Sequence, residues 1–165
     1  MPDPSPTDLA HRLLAIISRA LSSAALEDYG ITASREQGEQ ILRELLSLSL
    51  FWAWSALDVG FSDKDRDRLW ATLMDETRTA WSGELGLPPG DFDGYLDKFA
   101  KRRQLYENLT REGGTPATLA AETAGIMEAE SAIEPDDRPK MLALLVDLVP
   151  ADELGTAVEE VEGTD

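Results

Sequence analysis

Residues 45–57 read "LLSLSLFWAWSAL", thirteen positions without a charge. A helix that is apolar on nearly all sides must be covered on several of them. This run therefore asks for a central helix with other helices around it. Thirteen residues are too few to cross a bilayer as a helix, which takes about 20. The alternation in "LSLSL" at 46–50 would also suit a strand, but the long periodic flanks decide for a helix over 35–59. Trp52 and Trp54 lie two positions apart and so face nearly opposite sides of that helix.

The flanking sequence supplies the covering elements. Leu9, Leu13, Ile16, Ile17, Ala20, Leu21 and Ala24 form one stripe on a helix expected over 8–29, stopped by Gly30. Ser34 with Gln37 three residues later reads as a capping box for the central helix. A third helix is expected over 62–82, with Trp70, Leu73, Met74, Thr77 and Trp81 on one face, broken by "GLPPG" at 86–90. A fourth, over 91–112, opens at Asp91 and ends at Gly113-Gly114. Thr115-Pro116 starts a fifth over 116–133, and a short sixth follows over 138–149 before Pro150. No internal repeat and no sustained strand alternation occur. The expected fold is all-α: an antiparallel helical bundle of four long helices plus a C-terminal helical pair. Residues 1–7 are expected to be flexible, 8–150 to form one domain (core 8–114, acidic helical pair 115–150), and 151–165 to be an acidic tail.

"SDKDRDRLW", residues 62–70, places Asp63, Asp65 and Asp67 at alternating positions, as a calcium loop begins. An EF-hand loop counted from Asp63 needs glycine where Arg68 stands and glutamate where Met74 stands. In a helix, moreover, Asp65 points away from the other two. The stretch reads instead as a helix start: Ser62 caps, and the early acids complement the helix dipole.

Function classes are bounded by what is missing. With no cysteine, thiolate catalysis, zinc fingers and iron–sulfur clusters are excluded. His11 is the only histidine, expected on the polar face of its helix, so paired Glu-x-x-His di-iron ligation is excluded too. No phosphate loop and no G-x-S-x-G elbow is present. Asp3 and Asp8 stand where a secretory signal would carry basic residues, so the expected setting is cytoplasmic. Arginine outnumbers lysine 11 to 4, a bias that a GC-rich bacterial genome would give.

The net charge is −17. Residues 1–114 hold 19 acids and 13 bases, a net of −6, while residues 115–165 hold 13 acids with only Arg138 and Lys140, a net of −11. Direct binding to nucleic-acid phosphates is disfavoured, and a basic partner would be steered toward the C-terminal third.

Three groups of residues stand out. On the fourth helix, Arg103 falls inside the stripe of Phe92, Leu96, Phe99 and Tyr106, so its head either snorkels outward or is buried with an acid; a structural ion pair with Asp58 or Glu130 is the expectation to be checked. Trp52, Trp54, Trp70, Tyr95 and Tyr106 could wall an aromatic ligand pocket around Arg103. On the sixth helix, Met141, Leu142, Leu145, Leu148 and Val149 make a face that must dock on the protein's own bundle, on a second copy or on a partner. No catalytic residue, metal site or cofactor is expected. The leading reading is a non-catalytic interaction module: an adaptor, inhibitor or regulatory subunit that meets a protein partner, for which the charge favours a basic one, or itself. The rival is a small-molecule-binding bundle centred on Arg103.

Overall fold

In the computed structural model, which describes residues 6–162, the uncharged run lies inside α2 (Arg35–Gly60), and every residue from Glu44 to Phe51 is buried. Ser34 starts this helix by accepting from the Gln37 backbone N–H at 3.1 Å, while the Gln37 side chain accepts from Ser34 N–H at 2.9 Å. Five helices pack directly on α2: α1 (Pro6–Ser22), α3 (Asp63–Ala80), α4 (Phe92–Arg111), α5 (Pro116–Ala129) and α7 (Ala151–Glu162). A further helix, α6 (Arg138–Leu148), lies against α5, and no strand occurs among the described residues. The fold is an all-α bundle built around α2.

Named contacts fix the helix directions. Asp58 pairs with Arg66 and Trp54 meets Trp70, so α2 and α3 run antiparallel. Arg78–Asp93 and Trp70–Phe99 make α3 and α4 antiparallel, and Tyr106–Thr123 and Arg102–Glu130 do the same for α4 and α5. As a result α2 and α4 run parallel, with Arg43 beside Asp91 and Ser47 beside Tyr95.

The caps are local consequences of sequence. Ser62 accepts from the Asp65 N–H at 3.3 Å, and Asp63 and Asp65 pair with Arg66 and Arg68. Thr115 and Thr118 form a reciprocal cap ahead of α5, with Pro116 in its first turn. Asp91 makes no side-chain cap bond; its carboxylate goes to Arg43 at 2.8 Å. Between α4 and α5, Gly113 adopts φ +93°, and a Cβ on Gly114 would lie 2.7 Å from the Leu109 carbonyl oxygen. Only glycine allows so sharp an exit there.

Three expectations need correction. The first helix ends at Ser22, not near 29, and residues Leu26–Tyr29 form a 3₁₀ turn. Ser22 and Ser23 turn their hydroxyls back onto the carbonyls of Ser18 and Arg19, and the freed segment packs on α6. Tyr29 donates to Asp147 at 3.0 Å and Lys140 donates to the Gly30 carbonyl at 3.2 Å. Second, the proposed partner interface is turned inward. Met141 and Leu145 are fully buried, and Leu142, Leu148 and Val149 pack against the core. Of that helix's large apolar side chains, Val146 alone is exposed, at 54 %. Third, the segment 151–165 is not a solvated tail as far as it is described. Pro150 accepts from the Leu154 N–H at 3.0 Å and opens α7, whose Leu154, Ala157 and Val158 are buried between α1 and α2. Burying Leu154 and Val158 contributes about 1.5–3 kcal/mol each. Asp152, Glu153, Glu159 and Glu160 of α7 stay outside, where Arg12 and Arg19 of α1 meet Glu160 and Glu153. Of the expected flexible N-terminus, residues 1–5 lie outside the described residues, and α1 begins at Pro6.

Candidate functional site

Glu44 shares the buried face of α2 with Ile41, Leu48 and Phe51 and is only 7 % exposed. A carboxylate so placed loses its hydration and needs a cation or hydrogen-bond donors in exchange. Arg102 supplies the cation. It stands on α4 one turn after Phe99 and one turn before Tyr106, both buried. Its Nε lies 2.9 and 3.1 Å from the two carboxylate oxygens of Glu44, and its Nη2 donates to Glu130 Oε2 at 2.9 Å. Glu130 is the C-cap residue of α5, next to carbonyls that repel a negative charge, and Arg102 offsets that repulsion.

Two buried hydroxyl pairs flank this cluster. Tyr106 OH lies 2.8 Å from Thr123 Oγ1, whose own proton goes to the Leu119 carbonyl at 2.8 Å. Tyr95 OH lies 3.0 Å from Ser47 Oγ. Burial, and after it the negative charge of Glu44, raises Tyr106 above the ordinary phenol range. Tyr95 is raised mainly by burial, against the opposing hydrogen bond to Ser47. Glu44 itself is pushed above the usual carboxylate range by burial, against the pull of Arg102. The cluster thus combines one guanidinium shared by two carboxylates with two protonated phenols.

The cluster is not sealed. A cleft of about 350 Å³ opens beside it, between the N-terminal half of α2 and the start of α4, reaching Glu130. Glu36, Glu39, Arg43 and Glu44 of α2 and Tyr95 and Lys98 of α4 line it. Next in sequence to Glu130, the carbonyl of Ser131 accepts from Gln37 Nε2 at 3.1 Å. Ser131 sits at φ +62°, a left-handed conformation that costs a non-glycine residue energy, and this bond helps to hold it.

Comparison with protein-family models, with curated proteins and with solved structures returns no match.

The geometry of the site redistributes the residues singled out in the sequence. Arg103 pairs with neither Asp58 nor Glu130. Its side chain is 35 % exposed, its guanidinium lies 4.6 Å from the Trp54 ring centroid, and its Nε is 3.7 Å from Glu107. Asp58 pairs with Arg66 and Glu130 with Arg102. The reason is helical phase. The inward face of α4 runs through Phe92, Tyr95, Phe99 and Tyr106, whereas Leu96 is only half-buried. With Tyr95 in the stripe instead of Leu96, the face turns by about 30°, toward Arg102 and away from Arg103.

The aromatic residues do not gather around Arg103 either. Trp81, Tyr95, Phe99, Trp70 and Trp54 touch in sequence, each ring against the next, and Trp52 and Tyr106 each contact Phe51. A cavity of about 320 Å³ beside Trp54 is lined by Asp58, Arg66, Glu107 and Arg111, but not by Arg103.

Sequence reasoning passed over Glu44 and Arg102 although a signal existed. Ile41, Glu44, Leu48 and Phe51 follow 3-4-3 spacing, so an acid interrupts an otherwise apolar stripe. Among the described residues, no three histidine, aspartate or glutamate side chains come together as a metal set. His11 is exposed and faces Glu76 at 3.6 Å.

Proposed function

We propose that this chain is a cytoplasmic, non-catalytic helical interaction module, an adaptor, inhibitor or regulatory subunit, that meets a basic protein partner through its acidic C-terminal third. The observation that carries this reading is a surplus of acid on folded helices that outnumbers the cations paired with it: Arg12, Arg19 and Arg102 from elsewhere in the fold meet only Glu160, Glu153 and Glu130. The two bases of residues 115–165 are already engaged: Arg138 with Glu128, and Lys140 with Asp137. Glu122, Glu134, Asp136, Asp152 and Glu159 are exposed and make no ion pair. A preformed field of one sign accelerates encounter with a partner of the opposite sign and weakens with salt.

An apolar anchor point lies within this field. The C-terminal half of α2 and the start of α7 enclose a groove of about 250 Å³, lined by Trp52, Ala56, Val59, Gly155 and Val158, with Glu159 on its edge. Val59 is 84 % exposed, and the Trp52 indole N–H is buried without an acceptor. This groove replaces the face of residues 141–149 as the proposed contact surface, because that face is covered by the protein's own helices. The test is affinity capture from the native host at low and at elevated salt, with wild type, Val59→Asp and Asp152→Lys/Glu159→Lys as baits. The expected result is one basic protein, lost at elevated salt and weakened by both variants. Capture that is indifferent to salt and to both variants refutes the reading.

A further inference from the structure

We infer that the segment seated in the groove between α2 and α7 is an amphipathic α-helix of the partner, with an apolar ridge on Val59 and Ala56 and a flank of lysine or arginine turned to α7. This inference rests on the reading above and adds the form and orientation of the occupant. Trp52, Ser55, Ala56 and Val59 follow the i, i+3, i+4, i+7 spacing of one helix face, and none of the four is buried. On one side this face opens into the groove of about 250 Å³ against α7. On the other it opens into the cavity of about 320 Å³ against the end of α4, and Ser55 lines both. On the same face Val59 stands 84 % exposed. The strip from Trp52 to Gly60 is about 12 Å long, or about two turns of a helix lying along it.

No strand occurs among the described residues, so an extended segment finds no sheet edge on which to pair its backbone N–H and C=O groups. A helix satisfies those groups internally and presents apolar side chains three and four apart, the spacing that packs on the α2 face. Small residues let it approach closely: Ala56 on α2, and Ala151 and Gly155 on α7. The two walls differ in charge. On α7, Glu159 edges the groove, Asp152 lies on the same face about two turns earlier, and neither makes an ion pair. On the opposite wall, Asp58 and Glu107 are matched by Arg66 and Arg103. Arg111 on that wall makes no ion pair, only a 3.5 Å hydrogen bond to Asn108. The unmatched charge is therefore negative at α7 and positive at α4. An occupying helix complements both walls only with its basic flank turned to α7.

The probe is a fluorescein-labelled peptide of about 18 residues, long enough to form a helix, with leucines at helical spacing and lysines on one flank. Its binding to the full chain is read by fluorescence anisotropy and mapped on ¹⁵N-labelled protein. Saturable binding is expected, with a dissociation constant on the order of 0.1 mM and shifts confined to residues 52–60 and 151–159. A peptide of the same composition with its leucines dispersed, and one with a central proline, should each bind about tenfold more weakly. Val59→Asp should also weaken binding about tenfold, although it adds negative charge. Glu159→Lys should weaken it as well. Equal or tighter binding to Val59→Asp overturns the inference, because it identifies general attraction to a chain of net charge −17. Equal binding of the proline peptide overturns it in favour of an extended segment. A Val59-dependent dimer in sedimentation of the chain alone overturns it in favour of a second copy. Absence of saturable binding of the helical peptide up to about 1 mM overturns it too. None of these results decides the reading on which the inference rests, because the capture experiment does not depend on the shape of the partner's docking segment.

Discussion

Replacing Leu154 by alanine separates a docked α7 from a solvated acidic tail. Leu154 is 0 % exposed and sits with Ala157 and Val158 in the seam between α1 and α2. Truncating a fully buried leucine removes its transfer free energy and leaves a cavity, and such changes cost about 2–5 kcal/mol. Here the cavity would be bordered by the longer helices α1 and α2, and α7 has only about three turns with which to adjust. A cost of about 3 kcal/mol is expected. For a chain of this length each kcal/mol moves the melting temperature by about 2–4 °C, so the shift should be about 6–12 °C downward. Urea denaturation followed by tryptophan fluorescence and by far-ultraviolet circular dichroism gives the midpoint and the slope. The slope should be unchanged, so that the loss is read from the midpoint. Glu153→Ala serves as the surface control and should stay within about 0.5 kcal/mol. If Leu154→Ala also stays within about 0.5 kcal/mol, α7 is not seated on α1 and α2, and the reasoning fails.

Three further predictions concern the buried cluster and one cap. The folded-state pKa of Glu44 is raised, so the folded protein takes up that proton before the unfolded chain does as pH falls. Its contribution is therefore unfavourable above the folded pKa and is relieved as pH drops toward the unfolded value near 4.5. Wild type should gain stability relative to Glu44→Gln over that descending window in paired urea titrations, and a constant difference would contradict the assignment. Tyr106→Phe removes the donor to Thr123 but leaves Thr123 bonded to the Leu119 carbonyl, so it should cost about 1 kcal/mol in chemical denaturation. A loss above about 3 kcal/mol would mean that Thr123 depends on that phenol. Ser62→Ala should cost about 0.5–2 kcal/mol by loss of the α3 cap, whereas added calcium should not move the melting temperature beyond the effect of matched ionic strength.

How much was legible in the sequence can be judged residue by residue. The apolar run at 45–57 required a helix covered on several sides, and α2 is that helix. Ser34–Gln37, Ser62 and Thr115-Pro116 marked three helix starts because capping is local chemistry between residues three apart. The inward face of α4 was misjudged at one member, since Leu96 and Tyr95 both keep helical spacing to Phe92 and Phe99. Only the neighbours of α4, with Trp81 against Tyr95 and Glu44 against Arg102, decide which of them faces inward. The helix α7 was obscured by its charge, although Leu154, Ala157, Val158 and Val161 keep the spacing of an apolar stripe.

By itself the sequence determined that this chain is helical, where most of its helices begin, and that its surplus acid lies in its last third. These follow from periodicity, capping and counting, which act over a few residues. Only the tertiary structure decided which arginine met which carboxylate, that the apolar sixth helix was covered, and that Glu44 was buried against Arg102 beside a cleft. Those outcomes depend on how helices distant in sequence are rotated against one another, and on α4 a turn of about 30°, well under one residue step, moves the inward face from Arg103 toward Arg102.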